Sequence, residues 1–238
     1  MNLTIVDQLL AINRKFYNHF GNEFSATRQR LQPGVKKILN SIKQDESVLD
    51  LGCGNGYFLR EVSRRGHKQT LLGVDFSLPL LRDAESAPGV IFREVDLAKL
   101  PMTSNQSLIS GHWSLITAFA VLHHIPSHEI RLDILRTVQK LLEPNGKFIL
   151  SNWQFLNSEK LKARILPWAK VGLSNSDVDE GDYLLDWRSG GEGLRYIHHF
   201  SVEELLALAG QAGMRVSDSF LSDGEGGNLS LYQTWHLK

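Results

Sequence analysis

The sequence predicts an α/β fold, a Rossmann-like seven-stranded mixed sheet with helices on both faces, and three observations carry that prediction. Over the first 150 positions, short apolar β-branched runs alternate with helical patterns of roughly ten to fifteen residues, the mark of βαβ units on a parallel sheet. A glycine-rich turn, Gly52 to Gly56, directly follows the first of these runs. The chain ends in two β-rich runs around the turn DGEGGN, most simply an antiparallel hairpin.

The first thirty residues read as helical, and Pro33 to Ile42 reads as a helix with Val35, Ile38, Leu39 and Ile42 inward, so residues 1–45 form an expected N-terminal helical cap. Strands are expected at Ser47–Gly52, Thr70–Asp75, Val90–Asp96, Ser114–Val121 and Gly146–Trp153, each central rather than edge in character. Helices fill the gaps at about Tyr57–Arg65, Leu78–Glu85 and Ser127–Leu142. In the last of these Ile130, Ile134, Val138 and Leu141 set one apolar stripe on the sheet, and Pro144 and Gly146 stop it. After Trp153 the pattern loosens, and residues 154–200 read as an insertion, a lid over a substrate site. Ser201 then offers an N-cap with Glu204 three residues on, the capping-box order. Met214–Leu221 and Leu229–Leu237 close the sheet, one of the pair antiparallel to the remaining strands.

At 238 residues and 26.8 kDa the chain suits one α/β domain with an elaboration and is too short for two full-sized ones. Lys plus Arg equals Asp plus Glu at 26 each, so no global field draws it to nucleic acid or an anionic membrane. Local basic faces remain at Lys36, Lys37 and Lys43, or at Arg60, Arg64, Arg65 and Lys68. No secretory signal pattern opens the sequence and no run of 18 apolar residues occurs, so no membrane partner is expected. The single cysteine, Cys53, makes no internal disulfide; a cytoplasmic location is expected. The nine histidines lack ligand spacing on any one element, so no metal is expected.

VLDLGCGNG lets the backbone turn tightly and approach a ligand without Cβ clashes. Its G-x-G-x-G spacing, with Asp50 inside the preceding strand, differs from the G-x-G-x-x-G of dinucleotide binders. The next strand ends in Asp75, where a carboxylate can accept two hydrogen bonds from ribose hydroxyls, and Asp96 closes the third. Acids at successive strand ends beside a glycine turn describe a nucleoside site. Cys53, between two glycines, reads as a small residue beside the ligand and not as a nucleophile.

These runs, over roughly Ser47 to Trp153, resemble the class I methyltransferases that use S-adenosylmethionine and release S-adenosylhomocysteine. The resemblance implies that Gly52, Gly54 and Gly56 line the methionine part, that Asp75 takes the ribose, and that Asp96 with the Leu97 amide takes the adenine. Asp50, Cys53, Asn55, Phe76 and Ala120 complete the expected cofactor site. One departure is Ser114, where the family usually carries an acid at the start of the fourth strand; it is the sole hint of a non-catalytic cofactor-binding scaffold.

VLHHI, Val121 to Ile125, follows the fourth strand and brings His123 or His124 towards an acceptor. FYNHFGNEFSATR near the start, and DWRSGGEGLRYIHHF at the end of the insertion, are similar to the tRNA wobble-uridine methyltransferases that esterify a 5-carboxymethyl group. That resemblance places Tyr17, Phe24, Ser25, Thr27 and Arg28 on one side of the acceptor and Trp187, Arg188, Arg195, Tyr196, His198 and Phe200 on the other. A carboxylate is already a nucleophile and needs orientation by a cation; Arg28, Arg188 and Arg195 are the candidates. Alternation in R-Y-I-H-H-F puts Arg195 on one face and Tyr196 with His198 on the other, and the resemblance turns Tyr196 and His198 to the pocket and Arg195 to the rim. The acceptor is expected to be tRNA, with O- or carboxyl-methylation of a small metabolite as the alternative, and an activator subunit is one source of the charge that an RNA enzyme needs.

Overall fold

Parallel neighbours in a sheet cannot be joined by tight turns, so helices must carry the chain back between them. The computed structural model describes residues 1–27, 30–84, 87–102, 109–188 and 191–238. Strands β1 (Val48–Leu51), β2 (Leu71–Asp75), β3 (Val90–Glu94), β4 (Trp113–Phe119) and β5 (Leu142–Trp153) run parallel. Between them lie α3 (Tyr57–Arg64), α4 (Leu78–Arg82) and α5 (His128–Leu141). The sheet has seven strands in the order β3-β2-β1-β4-β5-β10-β9, with β9 (Met214–Ser222) and β10 (Ser230–Leu237) as an antiparallel hairpin. Strand β10 pairs antiparallel with β5, so it alone opposes the general direction.

Alternation of apolar runs located the elements of the main sheet; the differences there lie at the ends and in edge position. Strand β3 is an edge and not a central strand, with Ile91 46% exposed. Its alternating exposure is what a strand with one free side shows. Strand β4 stops at Phe119, two residues early, because Ala120 turns to a φ of +57°. His123 and His124 therefore sit in a short 3-10 turn, Leu122–His124, and not on the strand. Strand β5 begins at Leu142, immediately after α5, but pairs continuously with β4 only from Lys147.

The largest buried cluster packs Leu49, Leu51, Ile116 and Leu150 of the strands against Leu135 of α5 and Leu205 of α7 (Val202–Gln211). Ser201 caps α7 as expected, its hydroxyl accepting from the Glu204 amide at 3.0 Å. On the opposite face α2 (Pro33–Leu39) inserts Val35, Ile38 and Leu39.

Helix α1 (Leu3–Thr27), kinked at Phe20, lies against α4 and a second, smaller sheet. That sheet, β6 (Ile165–Leu166), β7 (Asp182–Trp187) and β8 (Gly193–His198), is antiparallel and lies within the expected insertion. Helix α6 (Glu159–Lys162) precedes it. Leu9 of α1 meets Leu184 and Tyr196 in one buried cluster, which seats α1 on β8. Among the described residues no helix is long and apolar enough to cross a membrane.

Candidate functional site

Strand order reverses at β1, whose neighbours β2 and β4 are reached in opposite directions, and open α/β sheets bind ligands at that point. A cavity of about 590 Å³ lies there, walled by the glycine turn, the ends of β2 and β4, α1 and the 154–200 segment. All three glycines have left-handed φ values, +67°, +56° and +69°. They do different work. A Cβ on Gly52 would strike Val121 at 2.5 Å, and one on Gly56 would strike the Phe92 ring at 2.4 Å. A Cβ on Gly54 meets nothing within 4 Å, so this residue keeps the turn open on the cavity side. Gly56 is not in the cavity wall, contrary to expectation; it serves the turn and the packing of α3 over Phe92.

Asp75 ends β2 with both oxygens directed by the backbone: Oδ2 accepts from the Gly54 amide at 2.9 Å and Oδ1 from the Ser77 amide at 2.8 Å. The Phe76 amide bonds the same carboxylate, and the lone-pair positions that remain can accept from ribose hydroxyls. Burial raises its pKa, opposed by these amides. Asp50, buried in β1, accepts from the Thr117 hydroxyl at 2.7 Å, and burial pushes its pKa up to about 7. Burial and the nearby Asp75 and Asp50 charges push the Cys53 thiol up, which disqualifies it as a nucleophile at neutral pH. Asp96 accepts from the Ala98 amide at 3.1 Å and pairs with Arg14 of α1. Phe76, Leu97, Asn55 and Ala120 also face the cavity. The Asn55 side-chain amide donates to the Ser25 hydroxyl at 3.1 Å, tying the end of α1 to the glycine turn.

These groups fit S-adenosylmethionine. The open side of Gly54 leaves room for a ligand chain, and the carboxylates suit a ligand with ribose hydroxyls and positive charge. Ala120, a non-glycine residue held in a left-handed conformation, adds local strain of the kind that gathers at functional sites.

The acceptor side departs further from expectation. Residues of β8 alternate, and the face towards the cavity carries Arg195, not Tyr196 and His198. Arg195 is 5% exposed, with its guanidinium 5.1, 5.2 and 5.0 Å from the centroids of Phe16, Trp153 and Trp187. Tyr196 and His198 point the other way, both to Asp182 Oδ1: the phenol donates at 2.6 Å and Nδ1 lies at 2.6 Å. The reason is that an apolar cluster with Leu9, Trp168 and Leu184 already claims the Tyr196 ring, and alternation then sends its neighbour inward. Arg188 is exposed and pairs with Asp186 outside the cavity wall, so it is not positioned as a clamp. Arg28 lies outside the described residues, as do the side chains of Phe24 and Thr27.

His123 and His124 both reach the cavity wall. His124 Nε2 shares a hydrogen bond of 2.8 Å with the Tyr17 hydroxyl, and Trp187 stands beside Phe16 at 5.3 Å between ring centroids. Burial and the neighbouring His124 hold His123 well below the ordinary histidine range, so at neutral pH it carries no charge. Ser114 lies at the opposite end of β4, its hydroxyl donating to Glu143 at 2.9 Å. It holds strands together and takes no part in the cavity.

Three residues in or beside the site were not among those the sequence singled out. Asn13, buried in α1, donates to the carbonyls of His124 (3.1 Å) and Tyr196 (3.0 Å) and accepts from the Tyr196 amide (2.9 Å). Arg14 covers Asp96, and Phe16 stacks on Arg195. A polar residue at an inward helical position, Asn13 among Leu9, Leu10 and Phe16, is the one feature that marks them. Among the described residues no group of three His, Cys, Asp or Glu side chains is arranged to hold a metal.

A family model described as a methyltransferase domain matches residues 23–218. A protein of Encephalitozoon cuniculi named as a methyltransferase is 31% identical over 205 residues, 86% of this chain and 87% of that one. The mouse tRNA (carboxymethyluridine(34)-5-O)-methyltransferase ALKBH8 is 28% identical over 69% of this chain, which spans only 23% of that protein's length. An Arabidopsis thaliana protein of the same tRNA methyltransferase name is 26% identical over 64% of this chain and 36% of its own. Among solved structures, a SAM-dependent methyltransferase of Methanosarcina mazei superposes with a TM-score of 0.64 at 21% identity, covering 87% of this chain and 99% of that one. The DhpI-SAM-HEP complex superposes with a TM-score of 0.68 at 19% identity, covering 96% and 97%.

Proposed function

The chain belongs to the methyltransferase-domain family and is an S-adenosylmethionine-dependent methyltransferase, and from that premise we propose that it esterifies a carboxylate, with Arg195 fixing the acceptor beside the methyl donor. The observation that carries the proposal is Arg195 itself, a buried cation in the cavity wall held by three aromatic rings. Arg30 and Arg164 also line the cavity but are less buried than Arg195, and the remaining candidates are directed elsewhere. His123 is neutral, Arg14 is paired with Asp96, Arg188 is paired with Asp186 outside the wall, and His198 faces away. A guanidinium whose plane is set by aromatic faces presents its remaining donors in a fixed direction, which suits a planar carboxylate.

The cofactor, when bound, supplies an electrophilic methyl group, which the carboxylate oxygen takes as the sulfur regains the bonding pair. No proton moves, so the site needs no general base. In this reading Asp75 and the open side of Gly54 hold the cofactor, Arg195 aligns the acceptor, and Tyr17 with His124 forms the wall opposite. Trp187 and Trp153 both line the cavity and give it aromatic surface beside which a base can lie. The acceptor is the 5-carboxymethyl group of a tRNA uridine, supported by the names of the mouse and Arabidopsis relatives. A second reading, a small-molecule carboxylic acid, is favoured by one observation, the equal count of 26 basic and 26 acidic residues.

Labelled S-adenosylmethionine with total tRNA, and separately with a small-acid extract, distinguishes the two, because a methyl ester releases labelled methanol in mild alkali. Replacing Arg195 with alanine should lower that transfer by roughly 10- to 150-fold, the loss of a charge-assisted hydrogen bond of about 1.5–3 kcal/mol. Undiminished transfer would remove Arg195 from the acceptor site.

A further inference from the structure

We propose that Arg30, Lys36 and Arg164 form a phosphodiester-binding rim around the cavity mouth, holding the RNA backbone on either side of the nucleotide whose base enters. The inference rests on the tRNA reading above and supplies what the neutral overall charge withholds: local, not global, attraction for RNA.

Several basic side chains of the protein are already spent on it. Arg14 pairs with Asp96, Arg64 with Glu61, Arg131 with Glu204, and Lys147 with Glu46. Arg65 donates to the Leu39 carbonyl and to Asn40, and Lys37 lies over the Phe220 ring. The basic faces expected on α2 and α3 are thus largely consumed in packing. Arg30, Lys36 and Arg164 differ: among the described residues no carboxylate lies within ion-pair distance of any of them and none of their side chains makes a hydrogen bond.

Their placement is the second observation. Arg30, in the connection from α1 to α2, and Arg164, in the turn after α6, wall the same cavity from different elements. Lys36 lines a smaller cleft of about 230 Å³ between α2 and α3, which shares Arg30, Leu31 and Tyr57 with the main cavity and so continues its mouth. The cleft also contains Arg65, and its one acid, Glu61, is neutralised by Arg64. Cations from separate elements of the lining, around an interior that contains two tryptophans, match a splayed nucleotide: base inside, phosphates outside. A free carboxylic acid small enough to enter the cavity would leave Lys36 without a role.

The test is the salt dependence of tRNA binding, read by fluorescence anisotropy on the whole chain with S-adenosylhomocysteine present. Lys36→Glu and Arg164→Glu should each weaken binding by roughly 5- to 20-fold at low salt and reduce the log–log salt slope by about 1. Lys36→Glu should leave S-adenosylhomocysteine affinity unchanged, which shows that the variant is folded. Wild-type affinity and slope in both variants, with the parent chain binding tRNA, would overturn the rim while the tRNA reading stands. No salt-dependent tRNA binding by the parent chain, together with esterification of small acids, would overturn both.

Discussion

Asp75 and Gly54 are joined by a hydrogen bond, so a substitution at either reports on both. Asp75→Ala removes the carboxylate expected to take the ribose and also frees the Gly54 and Ser77 amides from their partner. Each unpaired group costs about 1–3 kcal/mol, so calorimetry should show S-adenosylhomocysteine affinity falling by at least roughly fivefold. An unchanged dissociation constant would take Asp75 out of the site. Gly54→Val should be more damaging, since its φ of +56° is foreign to a β-branched residue and the added methyl groups enter the space left for the ligand.

At the scale of elements, β8 is the edge of the smaller sheet, and an edge strand has backbone groups with no strand to pair with. Asn13 fills that role for Tyr196, bonding both its amide and its carbonyl, and carries the same side chain to His124. Helix α1, strand β8 and the His123–His124 turn are therefore set by one buried amide. Asn13→Ala should destabilise the chain by about 1–3 kcal/mol in urea unfolding and accelerate hydrogen exchange of the Tyr196 amide. Exchange at the parent rate would show that α1 does not hold the edge.

A second linkage joins the same strand to α5 and α7. His198 touches Asp182 through Nδ1 and Glu204 through Nε2 at 2.9 Å, with Arg131 at 3.8 Å from Glu204 and Tyr196, His199 and His123 close by. Burial alone would lower the His198 pKa, but the Asp182 and Glu204 hydrogen bonds outweigh it and hold the imidazole above its ordinary value of 6.5. A raised histidine stabilises the fold fully below that ordinary value and loses the contribution as pH rises through the folded-state value. Stability should therefore decline on the alkaline side of pH 6.5, and His198→Gln should flatten the decline. A pH profile identical in the variant would assign the slope to another group.

For the whole molecule, the cofactor cavity joins α1, the main sheet and the 154–200 segment, so ligand binding couples to global unfolding. S-adenosylhomocysteine at roughly 100 times its dissociation constant should add about 2.7 kcal/mol. For a chain of this size that raises the melting temperature by roughly 5–10 °C. An unmoved transition would mean that the cavity does not hold this ligand.

The parallel strands, the crossover helices and the C-terminal hairpin were legible in the sequence because each follows from local pattern. Apolar runs such as Val48–Leu51 bury both faces, Ser201 caps its own helix, and DGEGGN leaves its flanking strands no course but an antiparallel return. The glycine turn was equally plain, since positive φ at Gly52 and Gly54 is a property of the residue. Elsewhere the decision belonged to distant contacts. The edge position of β3 depends on which strands pair, not on its own composition. Alternation divided β8 into two faces but did not say which face the cavity would receive. That was settled by Leu9 and Leu184, which bury Tyr196 and so turn Arg195 inward onto Phe16, Trp153 and Trp187. The sequence by itself determined the main sheet, the turn and the cofactor chemistry; only the tertiary structure decided which cation of β8 faces the cavity, because alternation defines two faces and the elements packed on each strand decide which one is turned inward.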